Sequence, residues 1–137
     1  MHEMALAEGV LMTALDQART QDRAVRRVQV WIGQLQQIDL EVFRGCLDAV
    51  RDEDEPLLRG MEIDLKNEIV AFTCRACERT YGLDDMEKPP GEDELEAIHF
   101  VPELAHSYIR CPDCQSPDFE VTRGRGVWIE TIELVDE

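Results

Sequence analysis

Apolar residues recur at steps of three and four along the first twenty positions. Met4, Ala7, Leu11, Ala14, Leu15 and Ala18 make one stripe, which predicts an amphipathic helix over 3–20. Gly9 weakens it slightly. The period then changes to two. Val28, Val30 and Ile32 alternate with Gln29, Trp31 and Gly33, which predicts a strand over 25–35 with one buried face. Asp39 reads as the N-cap of a second helix running to about Arg51. Its inner face carries Leu40, Phe43, Cys46, Leu47 and Val50. Cys46, alone on that face, reads as a small core residue. The run Arg51-Asp52-Glu53-Asp54-Glu55-Pro56 ends the helix and forms a solvated linker.

Alternation resumes at Met61, Ile63 and Leu65, with Glu62, Asp64 and Lys66 between them. Asn67-Glu68 is read as a turn. Ile69 to Thr73 then becomes the second arm of a hairpin that runs into Cys74. Residues 84–96 are acidic, contain Pro89-Pro90-Gly91, and pass from a loop into a short helix. The more apolar stretch 98–104 should pack back, and Pro102 suits the first turn of another short helix reaching His106 and Tyr108. Phe119 to Thr122 leads to Arg123-Gly124-Arg125-Gly126, a turn with two glycines for positive φ, and Val127 to Leu134 closes the chain as a strand. The expected fold is α+β: two helices packed on a small mixed or antiparallel sheet, with an inserted four-cysteine zinc-ribbon-like subdomain. The expected domains are 1–68 with 120–137, and 69–119. No internal repeat is visible.

The chain has 137 residues, 44% of them hydrophobic, enough for one modest core with a metal-stapled subdomain. No apolar run is long enough to cross a bilayer. The first residues lack the basic start and apolar run of a signal peptide. The expected compartment is therefore the cytoplasm, where thiols stay reduced. A net charge of −16 argues against nucleic acid as a partner, because phosphate binding needs a basic surface. Most of the acidic side chains read as a solvated surface, or as salt adaptation.

Candidate chemistry begins with cysteine. Cys74-Arg75-Ala76-Cys77 and Cys111-Pro112-Asp113-Cys114 are separated by thirty-three residues. Each pair can point two sulfurs at one ion from a tight turn, and two such turns supply four thiolates in a tetrahedron. That pattern reads as structural zinc. An iron–sulfur site, disulfides and redox dithiols are the alternatives. Tyr81 and Leu83 follow the first pair and could cover the metal. An all-cysteine site is closed, and no phosphate loop, nucleophile elbow or His-Glu-x-x-His accompanies it, so no catalytic set emerges.

His2 is the other unusual position. Met1 should be retained before so large a residue. The terminal amine, the His2 amide nitrogen and the His2 imidazole can then close fused chelate rings, with the Glu3 amide as a further donor. Planar nitrogen ligation suits Ni(II) or Cu(II) rather than zinc. A histidine at position 2 is most often of no consequence. From spacing alone, His99 between Ile98 and Phe100 reads as a buried histidine with a satisfied ring, and His106 as an exposed helical residue.

Several pieces together resemble the HypA/HybF family of hydrogenase nickel-incorporation proteins. They are Met1-His2-Glu3 before an amphipathic helix, the strand ending Ile32-Gly33-Gln34-Leu35, the double Cys-x-x-Cys, and Phe119-Glu120-Val121 with Arg123-Gly124-Arg125-Gly126. The resemblance covers essentially the whole length. It implies a metallochaperone that delivers nickel for assembly of [NiFe]-hydrogenase, working with the nucleotide-hydrolysing partner HypB and the hydrogenase large subunit. It implies a nickel site on His2 and the backbone nitrogens of His2 and Glu3, and structural Zn(II) on Cys74, Cys77, Cys111 and Cys114. The long connection between the cysteine pairs departs from the common bacterial form and looks archaeal. In that subgroup the insert histidine, here His99, can join the nickel ligands, with the Met1 amine as the other option for the fourth place. The competing class is a zinc-ribbon interaction adaptor with no second metal. The expected state is a monomer, with a domain-swapped dimer as the alternative.

Overall fold

The computed structural model describes residues 2–52 and 54–136, and of His2 the backbone alone. In chain order the elements are α1 (His2–Gln21), β1 (Val25–Gly33), α2 (Leu40–Val50), β2 (Glu62–Glu68), β3 (Ala71–Cys74), β4 (Thr80–Tyr81), α3 (Glu92–Phe100), α4 (Ala105–Tyr108), β5 (Phe119–Arg123) and β6 (Val127–Leu134). They fall into two compact units. The first is Met1–Ile32, Ile38–Lys66 and Val127–Glu137; the second is Gly33–Gln37 and Asn67–Gly126.

In the first unit the strands lie in the order β2-β1-β6, and β6 runs antiparallel to β1 with Val28 opposite Ile132 and Ile32 opposite Val127. Alternation along β1 buries Val28, Val30 and Ile32, and a register shift after Val25 turns that residue to the core as well. These residues share one core with Ala7, Val10, Leu11, Ala14 and Ala18 of α1 and Phe43 and Leu47 of α2. The two helices therefore cover one face of the sheet, as the α+β reading requires. Alanines at three of the five α1 positions leave room for a close neighbour. Asp39 caps α2 as its sequence position suggests: its carboxylate accepts from the amides of Glu41 (2.8 Å) and Val42 (3.2 Å). The outer face of the sheet holds both tryptophans, Trp31 stacked on Trp128 at 5.9 Å, with the Lys66 ammonium 5.3 Å from the Trp31 ring.

In the second unit β3 is the central strand, antiparallel to β4 on one side and β5 on the other. Phe72 is fully buried and packs against Tyr81 at 5.4 Å and edge-on against Phe119 at 5.1 Å. Leu35, Ile98, Ala105 and Ile109 complete this core together with the sulfur-bearing Cys74 and Cys111.

Four expectations are corrected here. β2 and β3 are not two arms of a hairpin; they lie in different sheets. A two-residue hairpin turn needs positive φ at its central residues. Neither Asn67 nor Glu68 has it, and β2 runs on through Glu68. β1 stops at Gly33 rather than residue 35, because a crossing segment of backbone meets it there. The Gly33 amide donates to the Gly126 carbonyl (2.7 Å) and the Leu35 amide to the Gly124 carbonyl (2.9 Å). A Cβ on Gly33 would stand 2.3 Å from the Gly124 oxygen. The same crossing carries β5 into the second sheet, so the unit boundary falls after Gly126 and not before Glu120. Finally, 98–104 packs back only in part. Helical periodicity turns Ile98 inward but leaves Phe100 72% exposed.

Gly124 has φ +86, and a Cβ there would stand 2.4 Å from the Val70 Cα. Both the left-handed backbone and the contact exclude a side chain. Gly124→Ala is expected to destabilise the second unit by about 2–4 kcal/mol. Urea unfolding followed through the tyrosines, both of which belong to that unit, measures it.

Candidate metal centre

The two cysteine pairs fold as matching knuckles. In the first, the Cys74 amide donates to the Arg79 carbonyl (2.9 Å) and the Glu78 amide to the Cys74 carbonyl (2.9 Å). In the second, Cys111 donates to the Ser116 carbonyl (3.0 Å) and Gln115 to the Cys111 carbonyl (2.9 Å). Glu78 and Gln115 both take left-handed φ, +67 and +62, to turn the chain after the second cysteine of each pair. Glycine is the usual residue for such a turn. Its absence here hides the repeat at the level of sequence. Arg75 reaches Asp118 at 3.0 Å, and Arg79 pairs with Asp113 of the opposite knuckle. Both pairs are solvent-exposed and contribute little to stability, though they favour the alignment of the two turns.

The knuckles bring all four sulfurs within 4.8 Å of one another. The Cys74 and Cys114 sulfurs are 3.5 Å apart, as are those of Cys77 and Cys111. A disulfide would need about 2.05 Å. A ZnS₄ tetrahedron with bonds near 2.3 Å has sulfur–sulfur edges of about 3.8 Å. The four cysteines are free thiols arranged across the knuckles, and their geometry and donor type fit zinc. Zinc would be held by all four, leaving no coordination position open.

The site has two faces. Cys74 and Cys111 are buried in the aromatic core; Cys77 and Cys114 are exposed. The Cys77 amide points at the Cys74 sulfur (3.4 Å), and this contact, aided by the Ala76 amide, brings the Cys74 thiol down to about 7. At Cys111 burial opposes ionisation, but the amides of Cys114 and Asp113 outweigh it and the thiol is also lowered. Backbone amides thus favour the thiolate form at both inner cysteines. At Cys77 and Cys114 the amides of Arg79 and Ser116 favour ionisation, yet the neighbouring sulfurs and burial prevail and both thiols are raised. Four thiolates so close repel one another until a cation joins them.

His2 and Glu3 open α1 in the first unit. The first amides of a helix have no carbonyl one turn earlier to bond. The Met1 amine and the His2 side chain lie outside the described residues. His99 lies on α3 in the second unit, half-buried, its ring 5.2 Å from that of Phe100. His106 is exposed, as read from sequence, but it is anchored: Nδ1 is 2.7 Å from the Pro117 carbonyl, and the ring lies 4.5 Å from Phe119. Cys46 is half-buried against the first core. Among the described residues no helix is long and apolar enough to cross a membrane.

The model of a family described as "Hydrogenase/urease nickel incorporation, metallochaperone, hypA" matches residues 1–134. This chain belongs to the HypA family. The hydrogenase maturation factor HypA of Pyrococcus abyssi is 37% identical over 143 residues, covering 100% of this chain and 98% of that protein. The HypA of Thermococcus onnurineus is 36% identical over 138 residues with the same coverage. Among solved structures, that of the nickel metallochaperone HypA from Helicobacter pylori superposes with a TM-score of 0.62 at 19% identity, over 98% of both chains. A second HypA solution structure gives 0.65 at 20%. The resemblance read from Met1-His2-Glu3 and the paired cysteines is thereby established, and with it the α+β fold of HypA proteins. The chain is of a metallochaperone family concerned with nickel incorporation and hydrogenase maturation.

Proposed function

We propose that this chain binds Ni(II) at its N-terminus and delivers it for maturation of [NiFe]-hydrogenase, with Zn(II) held structurally by Cys74, Cys77, Cys111 and Cys114. The nickel ligands are the His2 imidazole, the backbone nitrogens of His2 and Glu3, and His99, a set of four nitrogens that suits a planar d⁸ ion. The observation that carries this reading is that α1 begins at His2, so the amides flanking a histidine are not committed to helical hydrogen bonds. Amide nitrogens bind only when deprotonated and imidazole only when neutral, which makes the complex acid-labile and suited to transfer. The partners are a HypB-type nucleotide hydrolase and the hydrogenase large subunit, in the cytoplasm, with the chain acting as a monomer.

The fourth donor is tested by adding Gly-Ser before Met1. With His99 as ligand, the extended protein is expected to keep its nickel affinity and planar d–d spectrum, and His99→Ala to weaken binding. Loss of nickel from the extended protein alone would assign the place to the Met1 amine instead. Metal analysis of the purified protein, with nickel titration, tests the whole reading. One zinc and no second site would leave an interaction adaptor.

A further inference from the structure

Helix α1 carries a second stripe beside the one it buries. The inner stripe, Ala7, Val10, Leu11, Ala14 and Ala18, belongs to the first core. Next to it Glu8, Met12, Leu15 and Arg19 recur at steps of three and four and line one wall of an open groove. The end of α2 and the chain after it form the other wall with Val50, Asp52 and Glu55. Leu11 and Leu58, 6% and 3% exposed, are the buried residues of the lining, while Met12 is 65% exposed. The groove holds about 330 Å³ and follows α1 for three turns, about 16 Å. Glu8 and Asp52 stand exposed on opposite walls. Arg19 is the one basic residue of the lining, and it meets Glu55 only at 3.9 Å with 63% of its side chain exposed. Such a pair contributes little, so Glu55 can exchange it for another cation.

We propose that this groove docks an amphipathic helix of a partner protein, with apolar side chains over Leu11, Met12, Leu15 and Leu58 and with Lys or Arg residues meeting Glu8, Asp52 and Glu55. Neither wall is a sheet edge, so an extended segment finds no backbone to pair with. A helix laid along α1 presents side chains at i, i+3 or i+4 and i+7, which suits three turns of groove. Charge selects the partner. Three carboxylates around an apolar surface attract cations, and Arg19 offsets them only in part. A second copy of this chain brings a net charge of −16 and the same carboxylates; nucleic acid and anionic bilayers are repelled likewise. Met12, unbranched and exposed, can adapt to side chains of differing shape. Glu8 is six residues from His2, about 9 Å along the axis, so a partner seated here stands beside the turn on which nickel is proposed to bind. The docking site does not depend on that ligation.

The test titrates the full chain with a synthetic helical peptide of leucine and lysine, about four turns long, its leucines on one face. Methyl NMR is expected to show saturable one-to-one binding, with shifts at Leu11, Met12, Leu15 and Leu58 and with affinity falling as salt rises. Met12→Asp is expected to weaken binding at least about tenfold. Glu8→Lys is expected to weaken it and to flatten the salt dependence. A peptide of the same composition with leucines spread around the helix should bind far more weakly, and one with glutamate in place of lysine should not bind. Shifts scattered over the acidic surface, or equal affinity for the scrambled peptide or for Met12→Asp, would overturn the proposal and leave net charge alone. Equal binding of the glutamate peptide would overturn it as well. So would dimerisation of the peptide-free protein that Met12→Asp abolishes, which gives the groove to a second copy. If circular dichroism shows that Met12→Asp disturbs the fold, Glu8→Lys decides: unchanged affinity and salt dependence there overturn the proposal.

Discussion

Replacing His2 with alanine is expected to abolish specific nickel binding, a loss of more than about a hundredfold in affinity, while zinc content and fold are unchanged. The size follows from what the residue supplies. Mutating a group that merely orients a metal ligand costs roughly 10- to 100-fold. Removing the imidazole takes away a ligand and also the chelate ring that makes deprotonation of the neighbouring amide favourable. The fold should not notice, since the core contribution of α1 begins at Leu6 and Ala7. Isothermal calorimetry with Ni(II) measures the loss, and circular dichroism with zinc analysis checks the rest. Undiminished affinity in the variant would remove the N-terminus from the site. In the wild-type protein, affinity should fall as pH drops through the range in which a free imidazole protonates, near about 6.5. The sign follows from competition: protons and nickel seek the same nitrogen lone pairs.

The second large effect concerns the cysteines. Cys111→Ser, or chelation of zinc from the wild-type protein, is expected to unfold the second unit and leave the first folded. Structural zinc contributes about 10–16 kcal/mol in small zinc-binding peptides, comparable with the whole stability of a domain at about 5–15 kcal/mol. Cys111 and Cys74 are also fully buried parts of the core that contains Phe72, Tyr81 and Phe119. Removing the cation leaves buried thiolates facing one another with nothing to join them. The chain provides its own reporters. Trp31 and Trp128 are its two tryptophans and lie in the first unit; Tyr81 and Tyr108 are its two tyrosines and lie in the second. Tyrosine near-ultraviolet dichroism should collapse while tryptophan emission stays put. Tyrosine signals that survive complete zinc removal would show that the aromatic core stands without the metal.

Much of this was legible in the chain, for physical reasons that also explain what was not. A helix satisfies its own backbone, so local period suffices to find it. The stripe through Ala7, Leu11, Ala14 and Ala18 and the cap at Asp39 correspond to observed features. The cysteine spacing was equally local, because one ion fixes four side chains. Strand partners are another matter. Alternation at Met61–Leu65 announces a strand but not which strand it joins, and so β2 and β3 were read as a hairpin although they lie in separate sheets. The information that decides the point sits elsewhere, in Gly33 and Gly124, whose missing side chains let distant backbone segments touch. The Gln34 side chain adds to it by accepting from the Val70 amide at 2.9 Å. Phe100 misled because an apolar run was read without its helical phase. The left-handed turns at Glu78 and Gln115 left no trace, since residues that could have been glycine are not. The position of His2 and Glu3 suggested a nitrogen chelate before the family resemblance strengthened it; His99 came from the resemblance alone, and all three are a proposal to be tested as above.

The pairing of β1 with β6 has a consequence for the order in which the molecule is made. β1 leaves the ribosome early, but its antiparallel partner Val127–Leu134 follows only after every residue of the second unit has been synthesised. The first unit therefore waits for the second. Until then the edge of β1 facing β6 lacks its neighbour, and an unpaired edge invites the wrong strand. The second unit faces no such delay in its metal site, since its last cysteine, Cys114, precedes β6 in the chain. Early zinc capture would shorten the effective loop between β1 and β6 from nearly a hundred residues to roughly sixty, lowering the entropic cost of closing it by about 0.4 kcal/mol. In the growing polypeptide, zinc is then a modest aid to registering the sheet on which α1 packs. A nascent chain starved of zinc is expected to close the β1–β6 ladder somewhat more slowly.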